Sequence, residues 1–210
     1  AYSVGLGVQR SAVESIRWLD RAEALGEMDV RTLRQLAVGY IAGNFGAPDI
    51  QKGIGYYLRA AELGDASSMM RLASIYSEGK LVEISNESAF FWALKSAEGG
   101  NVSGMVFVGE AYNEGIGTEP DTEAALGWMQ KALESNPNNA TAALAIGRAY
   151  EHGLGFEKDQ VRALQFYERA ARLGNISAMI RTARSYQRGI GIKSTPALAN
   201  TASASDLPIK

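Results

Sequence analysis

The residues with most chemical potential in this chain are one histidine, several Gly-x-Gly pairs, scattered carboxylates and four Asn-x-Ser/Thr sequons. His152 stands between Glu151 and Gly153. An imidazole there would serve as a general base or metal ligand. A metal site needs several ligands at compatible spacing, and His-x-x-x-His and Cys-x-x-Cys patterns are both missing. His152 therefore reads as an exposed loop residue. The Gly-x-Gly pairs suggest phosphate binding, but no third glycine or P-loop lysine follows them, and the segments before them read as helices instead of strands. No carboxylate pair is spaced as a catalytic dyad, and no Gly-x-Ser-x-Gly elbow occurs. The sequence thus assigns no catalytic residue, no metal ligand and no cofactor. The sequons at Asn86, Asn101, Asn139 and Asn175 would accept glycans in a secretory protein. Three of them share one phase of a repeat, where asparagine has a structural use.

That repeat is marked by Tyr2, Tyr40, Tyr76, Tyr112, Tyr150 and Tyr186, at steps of 38, 36, 36, 38 and 36 residues. A period of this size signals a stacked array of small supersecondary units. Three residues after each Tyr comes a glycine: Gly5, Gly43, Gly79, Gly115, Gly153 and Gly189. In four copies a second follows two residues on, at Gly7, Gly117, Gly155 and Gly191. In the second copy Gly46 comes one residue late, and Leu81 replaces the second glycine in the third. Glycine past the last turn takes the left-handed conformation that ends a helix at least steric cost.

Each unit then reads as two helices. Asp29, Asp65, Asn101, Asn139 and Asn175 stand eleven residues before a Tyr and predict the start of a first helix, here helix A. Within it the position four before the Tyr is Leu36, Leu72, Val108 or Ile146, with Thr182 the exception. The position three before is always small: Ala37, Ala73, Gly109, Gly147, Ala183. Ser11, Asp49, Ser85, Asp121 and Asp159 predict the start of a second, helix B. Each helix B carries an aromatic (Trp18, Tyr56, Trp92, Trp128, Phe166) and a base three residues on. Gly26, Gly64, Gly100 and Gly174 close four of these helices, and Asn136 serves in the fourth copy.

The pattern resembles the Sel-one-like repeat family, a relative of the tetratricopeptide repeats. The match is best over residues 140–174, at Ala140, Ile146-Gly147, Tyr150, Gly153, Gly155, Asp159, Ala163, Phe166-Tyr167, Arg169-Ala170-Ala171 and Gly174. The resemblance implies an all-α fold, a right-handed α-α superhelix (solenoid) of about five helix-turn-helix repeats. It covers residues 1–193: helix B of a truncated copy, four full copies, and a final helix A with its loop. Residues 194–210 lack the aromatic and the Arg-Ala pair, and read as a degenerate cap or tail, although Thr195-Pro196 would open one more helix B. The chain opens within a repeat, so a longer parent, with more repeats or a targeting signal upstream, is expected.

By the same resemblance helix A lines a concave groove. The positions nine, five and two before the Tyr, and two after it, would face that groove. They supply Arg71 from one copy, Phe107, Glu110 and Glu114 from the next, then Arg148, and finally Arg181, Arg184 and Arg188. Arginine and aromatic residues are frequent interface anchors, so a peptide with an acidic end and an apolar anchor is the expected ligand. Proteins of this family are commonly adaptors, and the resemblance implies a protein-interaction scaffold or regulator. Periplasmic work in a bacterial envelope assembly or signalling pathway (exopolysaccharide, polarity or sensor-kinase regulation) is one expectation, and an adaptor of a eukaryotic lumenal ubiquitin-ligase complex another. Some cysteine-rich bacterial members have been assigned hydrolase activity towards cell-wall or β-lactam substrates, but this chain has no cysteine and no nucleophile–base pair.

Composition bounds the remainder. With 21 Lys and Arg against 23 Asp and Glu the net charge is −2, without the basic excess of a nucleic-acid binder. No apolar run approaches the roughly 20 residues that cross a bilayer. Zero cysteines exclude disulfides and thiol chemistry, and fit cytosol, periplasm or lumen alike.

Overall fold

The chain was described by a computed structural model that places residues 11–191, apart from Leu25, Glu27 and Gly155. The Tyr2 to Gly7 motif, Gly155 and the cap expected from residue 194 lie outside the described residues. Among the described residues ten α-helices follow one another: α1 (Ala12–Ala24), α2 (Val30–Ile41), α3 (Ile50–Glu62), α4 (Ala66–Glu78), α5 (Asn86–Glu98), α6 (Val102–Glu114), α7 (Thr122–Ser135), α8 (Ala140–His152), α9 (Gln160–Arg172) and α10 (Ile176–Arg188). Odd-numbered helices are type B and even-numbered ones type A. No strand occurs among the described residues.

Every helix starts on its predicted cap. The first orphan N–H groups of a helix need acceptors, and a short polar side chain just outside supplies one. Asp29 accepts from Thr32 N at 2.6 Å, Asp65 from Ser68 N at 2.9 Å, and Asp121 from Ala124 N at 2.9 Å. Asn101, Asn139 and Asn175 do the same for Gly104, Ala142 and Ala178, which is the structural use of three of the four sequon asparagines.

A second bond explains the fixed step from Tyr to the next cap. The carbonyl of the tyrosine accepts the N–H of the cap nine residues on: Asp49 to Tyr40, Ser85 to Tyr76, Asp121 to Tyr112 and Asp159 to Tyr150, all within 2.9–3.0 Å. The loop between helices A and B is thus closed on its own backbone in each of these copies. Gly79, Gly115, Gly153 and Gly189 end helix A in the left-handed region, as predicted.

The second glycine of the motif has a further reason. Gly117 has φ +70, and a Cβ there would meet the carbonyl oxygen of Asn86 at 2.1 Å. Gly191, at φ +74, would meet that of Gln160 at 2.2 Å. The loop is pressed against the opening turn of the preceding helix B, and no side chain fits between them. Asn136 departs from expectation. No non-glycine residue among those described has positive φ, so α7 does not end on a left-handed Asn136. Instead Asn136 Oδ1 accepts from Asn138 N and its carbonyl from Asn139 N, each at 3.0 Å. A side-chain turn replaces the glycine.

Two compact units divide the chain, residues 1–128 and 129–210, with the boundary inside α7. In the first, α2 packs on α3, α3 on α4, α4 on α5 and α5 on α6. Its core includes Leu33, Leu36, Tyr40, Tyr56, Tyr57 and Leu72. Burying each such side chain contributes about 1.5–3 kcal/mol. Tyr40 stacks on Tyr56 at 5.5 Å, and Tyr112 meets Phe90 edge-on at 5.2 Å. Small residues let α5 pack closely on the A helices on either side, α4 of its own repeat and α6 of the next. Ser96 is fully buried and its hydroxyl donates to the Ala66 carbonyl at 2.6 Å. A Cβ on Gly104 would come within 2.8 Å of the Ala97 nitrogen.

In the second unit α8 packs on α9 and α9 on α10. Ala143, Ile146, Leu164, Tyr167 and Ala170 are buried there. Tyr150 stacks on Phe166 at 5.8 Å, repeating the Tyr40–Tyr56 arrangement.

Candidate functional site

The positions that the repeat leaves free lie on helix A, where no cap, glycine or small-residue rule governs them. In the second unit the structure brings three of them together. Arg181, Arg184 and Arg188 recur at i, i+3 and i+7 on α10, which places them along one side of the helix. With Glu151, Ser185 and Ile190 they line a depression of ≈ 110 Å³.

The three arginines are not equivalent. Arg181 is half-buried and its Nη1 donates to Glu151 Oε2 on α8 at 2.8 Å. Its guanidinium also lies over the Tyr167 ring, 5.6 Å from the centroid. The Tyr167 hydroxyl donates to the same Glu151 Oε2 at 2.5 Å. Burial, reinforced by that bond to a carboxylate, holds the Tyr167 phenol well above its ordinary pKa. Arg181 is therefore committed to a network joining α8, α9 and α10. Arg184 and Arg188 are exposed, and neither has an ion-pair partner among the described residues. Two exposed guanidiniums thus stand beside a structural one, and a guanidinium fork matches a carboxylate in bidentate geometry.

Sequence reasoning missed Glu151, the centre of this network. Its position, one after the repeat tyrosine, is filled by Ile41, Ser77, Asn113, Glu151 and Gln187 in turn. Only its charge opposite Arg181, 30 residues later, could have flagged it. His152, whose Nε2 is 3.5 Å from Glu151 Oε2, is exposed. Among the described residues no three His, Cys, Asp or Glu side chains are arranged to hold a metal ion.

Arg148 is exposed on α8, likewise without an ion pair among the described residues. In the first unit Arg71 is exposed on α4 and lines a smaller depression of ≈ 40 Å³ with Ser74, Glu78, Lys80 and Leu81. Glu78 is bonded to Lys80 at 2.9 Å. Phe107 is half-buried on α6, while Glu110 and Glu114 are exposed on the same helix. Enough protein surrounds the Glu110 carboxyl to raise its pKa, and the Glu114 carboxylate one turn on adds to the rise. No helix among the described residues is long and apolar enough to cross a membrane.

A helix pair recurring every 36 or 38 residues, a loop closed from Tyr to cap, and a left-handed glycine at the helix A ends are the working parts of one repeat type. The model of the Sel1 repeat matches residues 1–27, 33–65, 66–101, 102–137, 140–175 and 176–199. The chain belongs to the Sel1 repeat family. Its fold is accordingly that of an all-α repeat solenoid, and Sel1 repeat proteins are in general protein-interaction scaffolds. Among solved structures, a protective antigen present in uropathogenic Escherichia coli strains, displaying an SLR fold, is similar at 27% identity and TM-score 0.77, over 92% of this chain and 41% of that one. The chain thus spans well under half the length of that antigen. A Sel1 repeat protein from Oxalobacter formigenes is similar at 25% identity and TM-score 0.73, over 90% and 80% of the two chains. A sel1 repeat protein from Klebsiella pneumoniae, at 21% identity and TM-score 0.50 over 82% and 81%, adds likeness of fold alone. A comparison with curated proteins gave no match.

Proposed function

We propose that this chain is a non-catalytic adaptor that captures an acidic segment of a partner protein on the exposed residues of its A helices. The observation that carries the reading is the depression on α10, where Arg184 and Arg188 stand exposed beside a third arginine held in place by Glu151 and Tyr167. Exposed arginine clusters recognise acidic and phosphorylated motifs through charge-assisted bonds. Arg71, Phe107, Glu110, Glu114 and Arg148 would extend recognition along the other A helices. Similarity to proteins of Escherichia coli and Oxalobacter formigenes supports a bacterial setting. The reading places the adaptor in the periplasm, within an envelope assembly or a signalling pathway. The nature of the E. coli relative as a protective antigen supports an envelope role.

The test is titration of a labelled peptide ending in two carboxylates after a leucine anchor. Arg184→Glu with Arg188→Glu should weaken binding at least about tenfold, or about 1.4 kcal/mol, and leave melting nearly unchanged. Equal affinity in the double variant would remove the site. Turnover of peptidoglycan or a chromogenic cephalosporin, abolished by His152→Ala, would overturn the non-catalytic reading.

A further inference from the structure

One face of the A helices stays open where every following helix is in place. At the phases of Arg184 and Arg188 the first unit carries Val38 and Ala42, Ser74 and Glu78, and Glu110 and Glu114, all exposed or half-buried. On α8 the same two phases hold Arg148 and His152, both exposed. His152 is the last residue of α8 and does not lie in the loop. Residues four apart are neighbours along one side of a helix. The repeat register thus sets an arginine and an imidazole on α8 where α10, 36 residues on, has two arginines. The α8 pair adjoins the arginine depression. Glu151 lines that depression, and His152 Nε2 lies 3.5 Å from Glu151 Oε2.

The charges around the imidazole decide what a proton on it does. Its own helix offers Arg148 and Glu151. On α9, Tyr167 donates to Glu151, and Arg162 is paired with Asp159 at 3.3 Å. On α10, Arg181 is paired with Glu151 at 2.8 Å, while Arg184 and Arg188 are exposed. In the loop after α8, Glu157 and Lys158 are exposed and opposite in sign. Glu151, the carboxylate beside His152, is therefore already matched by Arg181. A proton on His152 adds to the positive charge of Arg148, Arg184 and Arg188, and an anion bound among them favours that proton. Imidazole changes charge between about pH 5 and 8, whereas guanidinium stays charged.

We propose that His152 is a further contact of the anion-binding surface, one whose charge is conditional, so that capture of an acidic segment tightens as the solution becomes mildly acidic. The proposal rests on the reading of the arginine depression as an anion site and adds its regulation. The sign follows from linkage. The protonated form binds the anion better, so affinity rises as pH falls, and the bound anion holds the proton by the same factor.

The labelled peptide ending in two carboxylates is titrated into the full chain at about pH 8 and about pH 5.5, across the imidazole range, at low ionic strength. Carboxyl groups with an ordinary pKa of about 4 stay ionised at both. Affinity should rise at least about threefold at the lower pH. His152→Gln should lose that gain. His152→Arg should bind at the higher pH as tightly as the native chain does at the lower. His152 is the single histidine, so its imidazole resonances are read directly by NMR. Saturation with peptide should raise their titration midpoint by the logarithm of the full affinity ratio. Affinity flat with pH, a gain that survives His152→Gln, or a midpoint that the peptide does not move overturns the proposal and leaves the anion site standing. Binding unchanged by Arg184→Glu with Arg188→Glu removes the site itself.

Discussion

Gly117 combines two demands that a single methyl group would violate: a left-handed backbone and a carbonyl oxygen 2.1 Å from the missing Cβ. Gly117→Ala should therefore destabilise by about 1–3 kcal/mol, measured by thermal or urea denaturation. A smaller loss would mean that the loop relaxes away from α5. The sequence displays this glycine as a recurrence, and helix-end geometry predicts its φ. The contact with Asn86 was not legible, because it joins positions 31 residues apart whose approach is set by packing. Thr182 is the converse case. It stands out in sequence as the one polar residue at an apolar phase, and its Oγ1 is buried with no hydrogen-bond partner among the described residues. An unsatisfied buried hydroxyl costs about 1–3 kcal/mol. Thr182→Val, nearly the same shape, should raise stability by about 1 kcal/mol, seen as a higher melting temperature.

Helices were the most legible elements, because each begins on a side-chain cap and nearly all end on glycine. The exception, the end of α7, shows why residue type alone does not settle backbone conformation. Asn136 tolerates the left-handed region but uses its side chain for a turn in the Asn136-Pro137-Asn138-Asn139 loop. Position in the repeat also does not fix energetic weight. Tyr112 is half-buried against Phe90, whereas Tyr186, at the same phase, is mostly exposed and hydrogen-bonds to Glu168. Tyr112→Ala should cost about 3 kcal/mol and Tyr186→Ala about 1 kcal/mol or less, compared by the same denaturation. Equal losses would show that the face of α10 is covered in solution. The candidate site was partly legible in the same sense. The period assigned Arg181, Arg184 and Arg188 to one stripe, but only packing against α8 and α9 shows that Arg181 is a brace.

The whole molecule has no cysteine and a net charge of −2, so its stability comes from packing and caps without any cross-link. From α2 to α6 in the first unit, and from α8 to α10 in the second, the helices pack on their neighbours in order, as expected for a chain whose energetics are a sum of local terms. The near-neutral total hides an uneven distribution, since α10 carries three arginines and no carboxylate. That feature has a kinetic consequence. A positive edge on a slightly negative body orients an acidic ligand before contact, and raises its encounter rate above that of undirected diffusion. The association rate of the peptide ending in two carboxylates, followed by stopped flow, should fall as ionic strength rises past about 0.1 M, where the Debye length is about 10 Å. Its dissociation rate, set by short-range contacts, should change little. Salt would then control how fast a partner arrives on α10 while barely altering how long it stays.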